Sequence, residues 1–293
     1  MPEGAVQVID YDAALASASC PRYSAESHKY DHGTLVVAGG SRRYSGAPML
    51  AATSALYAGA GVVIACVPAS AEILCHVPQA LIVHRLAENA EYGVFGAESL
   101  DGWRRNLRKA TALVLGPGMD NHFVSDAFLT EALAFPAPKV VDADALNRIS
   151  ANPALLPSRD CCAKMVLTPH AGEFDRLAKA FGLSGKLNRE EGAMALSKAT
   201  GCVVLLKGPG TLVALPEGSC LTRNTTGNPR LGTAGSGDVL SGVIGALLAQ
   251  GVPVAEAARL GAFLHGKAAD ELPFFIADDL PRIIAKILHC GLY

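Results

Sequence analysis

One pattern constrains the fold of this chain more than any other. Short runs of β-branched and other apolar residues recur at Thr34–Ala38, 62–67, Ala112–Leu115, Lys139–Val141, Met165–Leu167 and Val203–Leu206. Most are followed by Gly, Pro or Asp and then by a stretch long enough for a helix. The runs are apolar at nearly every position rather than at every second one, so both faces of each strand must be covered. Buried strands alternating with helices predict an α/β protein with a mainly parallel central sheet and helices on both faces. Leu212–Ala214 and 219–222, joined by Pro-Glu-Gly, predict a hairpin after the parallel core. Helices are predicted at 47–58, at 237–250 and at 259–271, the last with Phe263, Leu264, Ala268 and Leu272 recurring at helical spacing. Neither a low-complexity linker nor an internal repeat interrupts the pattern. The expectation is one domain over residues 1–293, with 1–24 as an N-terminal extension.

Composition narrows the function classes. Apolar residues make up 50% of the 293 positions, which excludes a disordered chain. The net charge of −2 argues against a nucleic-acid binder, which would carry a basic patch. The acidic N-terminus lacks the basic start and apolar core of a signal peptide. The longest uncharged stretch, between Arg43 and Glu72, is punctuated by Pro48, Gly59, Gly61 and Pro68. It reads as a small-residue helix, a glycine stop and a buried strand rather than a membrane span. A soluble, cytoplasmic protein is expected. The eight cysteines, at 20, 66, 75, 161, 162, 202, 220 and 290, include no CxxC pair. They read as free thiols, mostly buried, and do not cluster with His at zinc-ligand spacing.

Ligands of open α/β sheets collect beyond the carboxyl ends of the strands, where the Gly- and Asp-rich segments of this chain fall. The most informative is NTTGNPRLGTAGSGD at 224–238. Gly235, Ser236 and Gly237 leave the backbone open to a ligand. The helix that follows offers free N–H groups to an anion. Asp238 stands in its first turn, where a carboxylate is either an ordinary helix cap or a general base for a hydroxyl acceptor beside a bound phosphate.

An anion hole opening a late helix resembles the ribokinase-like superfamily. Further stretches narrow the resemblance to the NAD(P)H-hydrate dehydratases. They are HKYDHG (28–33), GGS (39–41) with SGA (45–47), LGPGM (115–119), VDADALN (141–147), LTPHAGE (167–173), LKGPGT (206–211) and the 224–238 segment, in the family's order from about residue 25 onward. The resemblance implies a ribokinase-like three-layer sandwich. It implies a repair lyase that restores NADH and NADPH from the S epimers of their hydrates, NADHX and NADPHX. A nucleotide drives the reaction: ADP, giving AMP and phosphate, or ATP, with Mg²⁺. It further implies a homotetramer and an NAD(P)HX epimerase acting as a separate protein, since residues before 25 leave no room for an epimerase domain.

The same resemblance assigns residues. Asp238 is the base. Ala47, Gly118, His170 and Asp238 contact the hydrated dinucleotide. Lys207, Gly208, Pro209, Gly210, Thr211 and Gly237 hold the nucleotide. Gly235, Ser236 and Gly237 form the anion hole. Read without it, His170 is a loop or capping histidine, Glu173 a helix-start charge and the 207–211 segment a tight turn. Asp142 and Asp144 could hold Mg²⁺ through water or anchor turns, so no metal ligand is assigned. Three positions depart from the family pattern: Tyr30, Arg230 and Ala234 stand where glycine is usual, and a positive φ at Arg230 or Ala234 would be strained. Two other functions remain compatible: a small-molecule kinase of the hydroxyethylthiazole kinase type, and a non-catalytic nucleotide-binding protein of the same fold.

Overall fold

The computed structural model describes residues 8–290 except Tyr23, Leu74, Cys75, Ser184, Lys186 and Ser219, and excludes the side chains of His289 and Cys290. The chain begins with β1 (Val8–Tyr11), α1 (Ala13–Ser19), β2 (Thr34–Ala38), α2 (Gly46–Tyr57), β3 (Val62–Pro68) and β4 (Ile82–Leu86). It continues through α3 (Leu100–Leu107), β5 (Ala112–Leu115), α4 (Asp126–Ala134), β6 (Lys139–Val141), α5 (Ala143–Ala151), α6 (Arg159–Cys162) and β7 (Met165–Leu167). Then come α7 (Ala171–Ala180), α8 (Arg189–Thr200), β8 (Val203–Leu206), β9 (Leu212–Ala214), β10 (Leu221–Asn224), α9 (Ser236–Ala249), α10 (Val254–Asp270) and α11 (Leu280–Cys290).

Among the described residues ten strands join one sheet in the order β1-β10-β9-β8-β7-β6-β5-β2-β3-β4. Pairing is parallel from β8 to β4 and antiparallel across β8-β9-β10. β1 closes the far edge in parallel with β10, so residues 8–11 extend the sheet. Alternate side chains of each strand enter opposite layers, as the two-residue strand period requires. Leu35, Val37, Val114, Val203 and Leu205 face α2, α9 and α10. Val36, Leu113, Leu115 and Val204 face the layer that contains Trp103 of α3, Phe128 of α4 and Leu146 of α5. This is the three-layer α/β sandwich expected.

The helix predicted at 259–271 begins earlier, at Val254, because Pro253 sets the first turn and Val254 to Ala258 continue it. The strands β1 and β4 were not anticipated. β4 carries exposed His84 and Arg85 on an edge, so its sequence lacks the all-apolar signature. The hairpin is present, its second strand running Leu221–Asn224, while Ser219 lies outside the described residues. Of the described thiols, Cys66, Cys162 and Cys202 are buried, Cys20, Cys161 and Cys220 are partly exposed, and all six are free. Cys75 lies outside the described residues. No helix among the described residues is long and apolar enough to cross a membrane.

Two arrangements position the site. The chain runs outward through β2, β3 and β4, then returns through β5, β6, β7 and β8 on the other side of β2. The crevice between β2 and β5 is therefore the topological switch point of the sheet, the place where ligands of such folds bind. The start of α9 is brought there by close packing on α2. A Cβ at Gly242 would come within 2.0 Å of the Ala51 carbonyl oxygen, so only glycine permits this approach. By contrast, the HKYDHG stretch lies at the amino ends of the strands, where Gly61 and Val62 donate to the carbonyls of His32 and Gly33. It shapes the entry into β2 and β3 rather than the crevice.

Candidate active site

The carboxyl ends of β6, β7 and β8 deliver Asp142, His170 and Lys207 to one cluster with the first turn of α9. Lys207 Nζ lies 2.9 Å from Asp142 Oδ1 and 3.8 Å from Glu173 Oε2. Ser241, one turn along α9 from Asp238, donates to Asp142 Oδ2 at 2.6 Å. A Cβ at Gly237 would stand 3.3 Å from Lys207 Nζ and 3.9 Å from Asp142 Oδ2, which places the anion loop directly over this pair.

The charges tune one another. Burial alone would raise the Asp142 carboxyl, but Lys207 and the hydroxyls of Ser241 and Thr168 hold it below its ordinary value. Burial would lower Lys207, but Asp142 and Glu173 hold it above its ordinary value. Glu173 is raised, chiefly by burial. Asp238 is raised to about 7: burial is the largest cause, Asp142 adds to it, Lys207 opposes it, and Asp144 and Glu173 add further. Partly buried Asp238 is thus a carboxyl that exchanges its proton near neutrality, as a general base requires.

Asp142 and Asp144 do not converge. Ala143 between them has φ +49°, and Asp120 has φ +61°; among the described residues these are the non-glycine residues in the left-handed region. Such strain concentrates at functional sites. Here it turns Asp142 inward to Lys207 and leaves Asp144 outside, where Oδ2 accepts from the Asp120 backbone N–H at 3.0 Å. The donor set does not form a metal cage. Asp142 is committed to Lys207 and Ser241, Asp144 to Asp120 and Asn147. Among the described residues no group of three or more His, Cys, Asp or Glu is arranged for a metal ion.

The remaining expected positions fall into three places. Ala47 and Gly118 meet across the switch point, with Gly118 also against Tyr44. His170 caps α7: its Nδ1 accepts from Gly172 N–H at 3.0 Å, and its own N–H donates to Glu173 Oε2 at 2.9 Å. That leaves Nε2 as the protonated nitrogen, 3.3 Å from Glu173 Oε1, on a half-exposed ring that still faces solvent. Gly208, Pro209, Gly210 and Thr211 form a turn flanked by two arginines: Arg189 donates to the Pro209 carbonyl, and Arg223 packs on Gly210. The Lys207 side chain leaves this turn for the carboxylate cluster, so only its backbone remains with the loop.

In the anion loop, Gly235 takes φ +86° as the N-cap of α9. The Ser236 hydroxyl donates to the Leu231 carbonyl at 2.6 Å and is thereby committed within the loop. Arg230 and Ala234 both keep negative φ, and the strain expected from replacing glycine there does not arise. Arg230 sits in a 3₁₀ turn capped by Asn228, which accepts from its N–H at 3.0 Å. The first half of the 224–238 segment is a strap on α10. Asn224 donates to the Ala262 carbonyl, Thr226 to Phe263, and Asn228 to Ala269. Beneath the loop lies His265, pushed down to about 4 by burial and therefore neutral, with Nε2 lacking a partner.

Ser241, Arg189, Arg223 and His265 were not anticipated. Ser241 had a signal, its place three residues after Asp238 on one helix face. The arginines had none, because they reach the loop only through the tertiary fold.

The mainly parallel sheet with its switch-point crevice and helices on both faces is a ribokinase-like fold. The NAD(P)H-hydrate dehydratase family profile matches residues 35–287, and the chain belongs to that family. It is 40% identical over 247 residues to the ADP-dependent (S)-NAD(P)H-hydrate dehydratase of Neisseria meningitidis, covering 84% of this chain and 79% of that one. It is 38% identical over 260 residues to the bifunctional NAD(P)H-hydrate repair enzyme of Moorella thermoacetica, covering 88% of this chain and 48% of the other. The chain thus spans about half the length of such bifunctional relatives. The Bacillus subtilis ADP/ATP-dependent NAD(P)H-hydrate dehydratase, co-crystallised with ATP and Mg²⁺, superimposes with a TM-score of 0.73 at 25% identity, over 98% of this chain and 99% of that one.

Proposed function

We propose that this protein dehydrates the S epimers of NADHX and NADPHX to NADH and NADPH, driven by conversion of ADP to AMP and phosphate. The observation that carries the reading is Asp238, raised to about 7 in the first turn of α9 at the switch-point crevice. Family membership supports the substrate class, and the name of the Neisseria relative supports ADP.

The hydrate's ring hydroxyl is a poor leaving group. Asp238 takes its proton as the hydroxyl oxygen attacks the terminal phosphorus of ADP, whose bond to the bridging oxygen breaks to release AMP. The N–H groups opening α9, with Gly235, Ser236 and Gly237, hold the transferring phosphoryl group. Such donors contribute ~2.7–4 kcal/mol each at a transition state. The phosphorylated hydrate then loses phosphate as the ring nitrogen lone pair forms an iminium, and loss of the proton on the adjacent ring carbon returns that pair to nitrogen and leaves the ring carbon–carbon double bond. Ala47, Gly118 and His170 hold the dinucleotide, and the 207–211 turn with Gly237 holds the nucleotide. Mg²⁺, which would be held mainly through the nucleotide's phosphates and water rather than by a protein cage, would supply positive charge to the phosphoryl group.

A crevice of fixed handedness takes one epimer, so an epimerase activity must supply it. The reading also includes a cytoplasmic homotetramer. Exposed Phe274 and Ile276 support association, and light scattering near the monomer mass would refute it. Incubation with hydrated NADH and ADP or ATP, following the absorbance of restored NADH, tests the activity. No restored NADH with either nucleotide would overturn it.

A further inference from the structure

Tyr92, in the loop after β4, and Phe123, in the loop after β5, stack face to face, with ring centroids 4.2 Å apart and planes 9° apart. Both remain exposed, at 40% and 41%. The contrast is with Phe95 and Phe128, a similar stack at 4.5 Å that is wholly buried and serves the core. A buried stack needs no ligand to account for it. An exposed one offers a flat π surface to a base.

The shelf is built into the site's own loops. Asp120, whose N–H is held by Asp144, accepts from Phe123 N–H through its carbonyl at 3.2 Å. The loop carrying Tyr92 is tied to the loop after β2: Arg42 N–H donates to Gly93 O at 2.8 Å, and the Arg42 guanidinium to Ala90 O at 2.8 Å. Next to Arg42, the Arg43 side chain is 68% exposed and, among the described residues, pairs with Asp120 at 3.8 Å. Arg43 therefore sits between the Gly118 end of the crevice and the shelf, with its charge largely available.

Span decides what fits. The positions expected to hold the substrate run from His170, after β7, to Ala47, after β2. With strands ~4.8 Å apart, those three steps cover about 14 Å. A dinucleotide with its reacting ring at Asp238 carries a second base beyond a pyrophosphate and two riboses. On the β8 side that space belongs to the 207–211 turn. On the other side Gly118 adjoins Tyr44, Arg43 pairs with Asp120, and Asp120 holds the loop that carries Phe123.

We propose that the Tyr92–Phe123 shelf receives the adenine of the hydrated dinucleotide, with Arg43 binding a phosphate of the same molecule. The proposal rests on the activity proposed above and adds its substrate subsite. The phosphate has two possible origins, the bridging pyrophosphate or the 2′-phosphate present only in NADPHX.

The test compares NADHX, NADPHX and the hydrated mononucleotide NMNHX, which lacks adenosine. Tyr92→Ala and Phe123→Ala should raise KM for both dinucleotides about tenfold or more, the scale of base–aromatic stacking, without a comparable rise for NMNHX. Tyr92→Phe, which keeps the ring, should restore affinity. Equal effects on mononucleotide and dinucleotide, or none on either, would overturn the shelf. Arg43→Gln should weaken both dinucleotides if it binds the pyrophosphate, or NADPHX alone if it binds the 2′-phosphate; no effect on either removes it from the subsite. Should the wild type process none of the hydrates, the activity fails separately. Calorimetric titration with NADPH and reduced NMN, on wild type and Phe123→Ala, then still reads the shelf, and an unaltered NADPH affinity overturns it.

Discussion

Lys207 Nζ stands 2.9 Å from Asp142 Oδ1, and this pair is the electrostatic centre of the crevice. Asp142 is 1% exposed and keeps its charge only because Lys207 and Ser241 satisfy both of its oxygens. Lys207 in turn lies among Asp142, Glu173 and Asp238. One cation shared by several carboxylates cannot neutralise all of them. Together with burial, the larger cause, that deficit raises Asp238 to about 7. In the proposed mechanism the glycine loop supplies the phosphate site, and the β6–β8 loops supply the field that sets the base.

Changing the pair should therefore move the pH profile in opposite directions. Asp142→Asn removes a negative neighbour of Asp238, lowers its pKa and shifts the acid limb of kcat/KM to lower pH. Lys207→Met removes the positive neighbour and shifts that limb upward. It also leaves Asp142 buried and unpaired, which costs about 3–5 kcal/mol. Chemical denaturation and pH–rate profiles of the two variants check both signs; shifts in the same direction would contradict the account.

The α2–α9 contact should be equally unforgiving. Gly242→Ala places a methyl 2.0 Å from a backbone oxygen that cannot rotate away. The helices must separate, at a cost of about 1–3 kcal/mol or more. Because the anion loop opens α9, a rise in KM for the nucleotide should accompany the loss of stability. A variant with wild-type stability and KM would show that the contact is not needed.

The central strands were legible because residues such as Leu35, Val36 and Val37 are apolar on both faces, which only a covered parallel sheet explains. The edge strands β1 and β4 were not, since Asp10, His84 and Arg85 point to solvent and break that pattern. The loop glycines and Asp238 stood out at strand ends and a helix start. The direction of Lys207 did not: its neighbours in sequence belong to a glycine turn, while its charge partners, Asp142 and Glu173, come from other strands. The capping role of His170 was visible in its spacing to Glu173. The stack of Tyr92 on Phe123 joins residues of two different loops and leaves no periodic trace.

ADP should be used in preference to ATP, as the name of the Neisseria relative suggests. The comparison is kcat/KM for each nucleotide at saturating NADHX, and a clear preference for ATP would contradict it. Arg189 and Arg223 flank the 207–211 turn, so Arg189→Ala should raise KM for either nucleotide by loosening the Pro209 carbonyl it holds.

The sharpest prediction concerns Asp238→Asn, which retains size and capping ability while removing the proton acceptor. Turnover of NADHX at saturating ADP should fall by ~10²–10⁴-fold. Stability should move the other way. The folded-state pKa of Asp238 is about 7 against an ordinary 3.8, so the folded protein holds a proton that the unfolded chain releases. The carboxyl's contribution is therefore fully favourable below about 4 and is lost as pH rises through 7. At pH 8 the native state carries an ionised carboxylate in a negative, partly buried setting, and Asn relieves it. The variant should thus melt at a higher temperature than wild type at pH 8, with the difference vanishing toward pH 4. Thermal melts at both pH values, an ADP titration and steady-state kinetics on the same preparation check this. Near-normal turnover in a folded variant that binds ADP would remove Asp238 from the mechanism, and equal melting temperatures at pH 8 would show that its carboxyl is not raised.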